Sequence, residues 1–282
     1  MSLAVRSALC AALLLMGSAA QAAVTPVPVG QPLARFANLK PGVHRYLRFK
    51  QAGDTVRVAD VWTREIRFEE QDGQRRMHIV QHWDGVGATP GDKQLDSWFE
   101  VGTFRPLTHV RRSTRDGVTK VEGFSFQPDK IVGLKDLEGN AAKDFEVASP
   151  QASFNFEADM EFMQALPLAA GYEASIVFTH PGGGPPAAYL FKVAGSETLD
   201  LPGGGKVDCW VVTADYNHPE MGVTRFWFAK AGQVMIKQLT PLPDGSGVLG
   251  KTLLYYPFEP LIPANAGTHM WTAPWLQGLD GV

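Results

Sequence analysis

Between Gly42 and Leu254 apolar and polar residues alternate with a period of two, in runs bounded by Gly, Pro, Asp and Asn. Successive side chains on a strand point to opposite faces, so this rhythm predicts half-buried β-strands. In "VHRYLRF", Val43, Arg45, Leu47 and Phe49 alternate with His44, Tyr46 and Arg48, and the rhythm continues through "DTVRVADVW" and "REIRFEE" to Asp72-Gly73. An Asp-Gly pair between alternating runs predicts a tight hairpin, with "RRMHIVQHW" as the returning strand. The design recurs around Asp116-Gly117, between "TFRPLTHVRRST" and "VTKVEGFSFQ", which makes a meander. One stretch departs from it. In "SFNFEADMEFMQAL", Ser153 to Leu166, the residues Phe156, Met160, Met163 and Leu166 fall near helical spacing, and Pro167 ends the pattern. The β rhythm resumes after Gly171 and runs through "YEASIVFTH", "AAYLFKVAGSETLDL", "VDCWVVTADYN" and "VTRFWFAKAGQVMIKQLT". The expected fold is mainly β: a single antiparallel sheet, strongly curved into an open or partly closed β-barrel, with one short helix and an irregular proline-rich tail.

The ends of the chain read differently. Residues 1–22 place Arg6 before an apolar run from Ala8 to Met16 and close on Ala20-Gln21-Ala22, the pattern of a cleavable secretory signal peptide. Residues 23–41 begin "AVTPVPVGQ" and are expected as an extended leader, 42–256 as the β-barrel-like domain, and 257–282 as the irregular tail. The expected location is therefore the periplasm. No later run reaches the ~18 apolar residues of a membrane-spanning helix, so no transmembrane span is expected. The whole chain carries 26 basic and 29 acidic residues; loss of Arg6 with the leader leaves 25 against 29, a balance of −4 with no basic excess to suggest nucleic acid.

The stretch "LPGGGKVDCW", Leu201 to Trp210, resembles a phosphate loop, but Leu201 stands where the first glycine is needed and Val207 where Ser or Thr would reach magnesium. It reads as a hairpin, its glycines supplying positive φ angles. Cys209 then shares an apolar strand face with Val207 and Val211, the setting of a buried, unreactive thiol. His78 and His82 stand on a strand, where positions four apart are ~13 Å distant and cannot share a metal ion. The pairs Glu69/Glu70 and Asp159/Glu161 are expected at a solvated strand end and on a helix face, and spacing alone does not give their separation as catalytic groups. No catalytic, metal or cofactor motif is present, so no enzyme and no cofactor is expected. What remains is a surplus of aromatics, including seven tryptophans. If a curved sheet turns them inward, they line a cavity for a greasy ligand, with Trp98, Phe104, Phe191, Trp210 and Trp227 as candidate wall residues; on a covered flat sheet they are ordinary core.

In the second half, Leu166-Pro167-Leu168, Val193, Gly195, Glu197, Gly205 and Trp227 follow one another in an order that resembles the uncharacterised bacterial domain-of-unknown-function family 3108. The resemblance implies a secreted, mostly antiparallel β protein, distantly similar to the open half-barrels of lipoprotein carriers. In those carriers acyl chains lie beneath helical lids, so the Ser153 to Leu166 helix is expected as lid or plug. It implies no catalytic residue. The function expected is non-catalytic binding of an apolar or lipid-like ligand in envelope maintenance; the alternative is a structural or assembly protein with a filled core, no ligand and an envelope protein as partner.

Overall fold

The computed structural model of the protein describes residues 23–86, 91–201 and 204–256. The expected signal peptide and proline-rich tail lie outside the described residues. The strands are β1 (Thr25–Val27), β2 (Gly42–Ala52), β3 (Thr55–Gln71), β4 (Gln74–Gly85), β5 (Asp92–Glu100), β6 (Pro106–Arg115), β7 (Val118–Phe126), β8 (Lys130–Gly133), β9 (Glu146–Ala148), β10 (Phe154–Asn155), β11 (Glu173–Thr179), β12 (Ala187–Asp200), β13 (Lys206–Ala214), β14 (Thr224–Ala229), β15 (Met235–Pro241) and β16 (Val248–Leu253). One helix, α1 (Asp159–Gln164), stands between β10 and β11.

All sixteen strands belong to one sheet, in the order β1-β11-β12-β13-β14-β15-β16-β2-β3-β4-β5-β6-β7-β8-β9, with β10 also paired to β11. The two halves of the chain are separate meanders, joined where β16 pairs antiparallel with β2. The hairpins form where the sequence predicts them: Asp72-Gly73 and Asp116-Gly117 all take positive φ, and β12 and β13 flank the glycine run.

Three expectations are corrected. The sheet is mixed, because β1 and β10 both run parallel to β11. The leader is therefore more than an extended arm: Thr25–Val27 covers part of an edge strand, and Leu33 and Leu39 are buried. Covering an edge removes a row of unpaired backbone groups that would otherwise invite association. The helix is shorter than Ser153 to Leu166, because Phe154 and Asn155 pair with Phe178 and Thr179 as strand, and the Asn155 side chain then accepts from the Glu157 N–H to start a 3₁₀ turn ahead of α1.

The connectivity itself demands curvature. Fifteen strands on one path would span about 70 Å if laid flat at ~4.8 Å per strand. Yet β9, at one end, is joined to β10, beside the other end, through 149–153 alone, a link that reaches ~20 Å at full extension. The sheet must curl until its ends approach, although β9 and β1 are not hydrogen-bonded neighbours and the curl stays open. Within it lies α1, every residue of which is buried. Phenylalanine rings fill the space around it in an unbroken series, from Phe104 to Phe162 at 5.5 Å, Phe162 to Phe178 at 5.5 Å, Phe178 to Phe191 at 6.1 Å and Phe191 to Phe226 at 6.5 Å. The helix is a plug, not a lid over a cavity.

Candidate functional site

Residues directly opposite on paired strands point to the same face, so the registers of β2 to β7 define rows on the face that meets the plug. Phe68, Met77 and Phe99 form an apolar row, followed by Ile66, Ile79, Ser97, His109 and Phe124. The next row is polar: His44, Arg64, Gln81, Leu95, Arg111 and Glu122. Beyond it come Tyr46, Trp62, Trp83 and Lys93, and then Gln238, Lys251, Arg48 and Asp60 near the hairpin tips. The inner face thus grades from greasy to basic along the strand direction.

At the boundary the plug is pinned by charge. Arg64 is 1% exposed; its guanidinium donates to both Glu161 carboxylate oxygens, to Gln81 Oε1 at 3.1 Å and to the Glu157 carbonyl at 3.1 Å. Gln81 donates in turn to the Glu157 carbonyl at 2.6 Å and accepts from the Trp62 indole at 3.1 Å. The helix face that carries Asp159 and Glu161 is buried because the sheet wraps the helix, and Arg64 pairs with Glu161. Desolvation pushes the Asp159 carboxyl up, against the pull of Lys251 and Arg64. The sequence carries a signal for this, an arginine standing in the inward register of Trp62 and Ile66.

Above the plug, cations lie on tryptophan faces. The Trp62 and Trp83 rings meet edge to face at 5.5 Å. Arg48 lies 3.9 Å and Lys93 4.2 Å from the Trp83 ring centre, while Lys251 lies 4.5 Å and Arg64 4.4 Å from that of Trp62. Such contacts strengthen when desolvated. Arg48 is paired with Asp60 at 3.0 Å and Arg111 with Glu122 at 2.9 Å, but among the described residues neither Lys93 nor Lys251 has a carboxylate within ion-pair reach. Burial lowers the pKa of both, that of Lys251 to about 8. Beside the Arg48 Nε–Asp60 Oδ1 pair, two buried polar atoms have no hydrogen-bond partner, Trp83 Nε1 and Gln238 Oε1.

The five candidate wall residues do not come together. Phe104 and Phe191 lie in the phenylalanine core, at 0% and 2% exposure. Trp98 stands on the opposite face of β5 from Ser97 and Phe99 and stacks on His78 at 4.0 Å. Trp227 faces away from Phe226 and Phe228 and donates to Glu197 at 2.8 Å, whereas Trp210 is half-buried beneath Lys230 at 4.6 Å. Alternation separates two faces without naming the inner one, so Trp62 and Trp83, which do meet over the plug, are missing from the five. Cys209 is fully buried and its thiol is pushed up to about 12 by desolvation. A buried serine–histidine contact, Ser97 Oγ to His109 Nδ1 at 2.9 Å, is sealed at 0% exposure for both residues, and burial holds the imidazole pKa down to about 4. Where the two ends of the sheet approach, a groove of about 310 Å³ runs between Val29, Pro106, Ile131 and Ser153. Among the described residues no group of His, Cys, Asp and Glu could hold a metal ion, and no helix is long and apolar enough to cross a membrane.

A large sheet curled round a buried helical plug defines a β-barrel-like protein, left open. The chain belongs to the family described as protein of unknown function (DUF3108), which matches residues 46–251. Among solved structures it is similar to a β-barrel-like protein of domain of unknown function DUF1849 from Brucella abortus, at 11% identity over 75% of this chain and 95% of that one, with a TM-score of 0.46. A search of curated proteins finds no match.

Proposed function

We propose that the protein is an exported, non-catalytic binding protein of the cell envelope that takes an amphipathic, lipid-like ligand at the basic, tryptophan-lined end of its inner face. The observation that carries this reading is the contrast within that face. Its greasy end is occupied by α1 and the phenylalanine series, whereas Trp83, Lys93 and Lys251 at the other end are half-buried beside polar atoms that lack partners. Buried polar atoms are nearly always satisfied, so such a cluster is the place where an outside group gains most by entering. Export rests on the leader pattern, and the absence of chemistry on the sealing of Ser97, His109 and Cys209. Native mass spectrometry of protein isolated from the exported fraction without detergent tests the reading: a mass increment of one amphiphile supports it, and a bare polypeptide mass contradicts it. The filled phenylalanine core favours a second reading, a structural or assembly protein without ligand, which the bare mass together with a stoichiometric protein partner would support.

A further inference from the structure

The two lysines of this face are unlike its other cations. Arg48, Arg64 and Arg111 each have a carboxylate partner within ion-pair distance. Lys93 and Lys251 have none among the described residues, yet both are half-buried and each lies on a tryptophan, Lys93 on Trp83 and Lys251 on Trp62. Withdrawing an ammonium from water without a counter-charge is unfavourable, and a tryptophan face compensates only in part. Of the acids of the neighbourhood, Asp60 is committed to Arg48, Glu122 and Glu157 to Arg111 and Glu161 to Arg64, while the buried Asp159 pulls on Lys251 from beyond ion-pair distance. Near the lysines, the Trp83 indole N–H is a buried donor without an acceptor. Two ammonium groups without an ion-pair partner among the described residues and one indole N–H without an acceptor therefore flank one edge-to-face tryptophan pair.

We propose that this face is an oxyanion site, in which Lys93 and Lys251 hold the phosphate or carboxylate group of the ligand over Trp62 and Trp83, with the Trp83 indole N–H as a further donor. The flexible four-carbon stems of the lysines let both ammonium groups converge on one group. The inference rests on the reading of this face as the binding face, and it names the chemistry recognised there.

The test uses four probes on the wild-type protein, on Lys93→Gln, on Lys251→Gln and on the charge-retaining Lys251→Arg, each first shown to keep a cooperative unfolding transition. Tryptophan fluorescence and calorimetry follow titration with dodecyl phosphate, laurate, dodecyl maltoside and inorganic phosphate. The proposal expects dodecyl phosphate and laurate to bind and the maltoside to bind at least tenfold more weakly. Each Lys→Gln change should weaken the anionic probes about tenfold, the loss of one charge-assisted hydrogen bond, while Lys251→Arg largely restores them. Saturable binding of inorganic phosphate as tight as that of dodecyl phosphate keeps the oxyanion site and removes the amphiphile. Equal binding of dodecyl maltoside and dodecyl phosphate, unaffected by either Lys→Gln change, overturns the oxyanion site and keeps the amphiphile. No binding of any probe overturns both.

Discussion

Two residues on the inner face titrate far from their ordinary ranges, in ways that stability measurements can read. His109 is sealed against Phe124 and Ser97, and burial lowers its pKa to about 4, below the ~6.5 of an unfolded chain. Between those values the unfolded chain binds the extra proton, so stability falls as pH drops from 6.5 toward 4. Urea unfolding at pH 7 and pH 4.5 should show wild type losing about 2–3 kcal/mol more than His109→Gln over that range; parallel losses would place the imidazole in contact with solvent. For Lys251 the sign is the same and the pH range is higher. Desolvation is its largest influence, followed by Asp159, Arg48, Arg64 and Glu157, and its pKa of about 8 lies below that of a free lysine. Between pH 8 and about 10.5 the unfolded chain again holds more protons, so wild type should gain stability relative to Lys251→Gln as pH rises from 7 to 10. A constant difference between the two proteins would contradict a desolvated lysine.

At the scale of elements, the decisive join is that between α1 and β3. A buried ion pair that loses one partner typically costs 3–5 kcal/mol, because the other charge is stranded, whereas replacing both partners by apolar groups is far milder. Glu161→Ala should therefore lower unfolding stability by about 3–5 kcal/mol, and Arg64→Met with Glu161→Leu should recover most of that loss. If the double variant is no better than the single one, the hydrogen bonds of Arg64 to Gln81 and the Glu157 carbonyl matter more than the pair. This join is also where the sequence is hardest to read. Strands and hairpins are legible because they are local: period two, Asp72-Gly73, Asp116-Gly117 and the glycine run before Lys206 each carry their own geometry. The helix is legible in position but not in length, because Phe154 and Asn155 are claimed by Phe178 and Thr179 on a strand further along the chain. The burial of Asp159 and Glu161 depends on a cation almost a hundred positions away.

For the whole molecule, a sheet of this order has to curl because its two ends are tied by a five-residue link, and the curl is filled at one end by the plug. Curvature was legible from strand number and spacing, but the inner face was not, so the expected aromatic wall scattered to Trp98 on the outside, Phe104 and Phe191 in the core, and Trp210 and Trp227 on opposite faces of adjoining strands. The proposed ligand site is the basic rim above the plug. Hydrogen exchange with and without dodecyl phosphate tests that directly. The account predicts slower exchange in the parts of β2 to β5 and β16 that carry Arg48, Trp62, Trp83, Lys93 and Lys251, with α1 and β11 to β14 unchanged. Faster exchange in α1, showing that the ligand displaces the plug and enters the phenylalanine core, would contradict it.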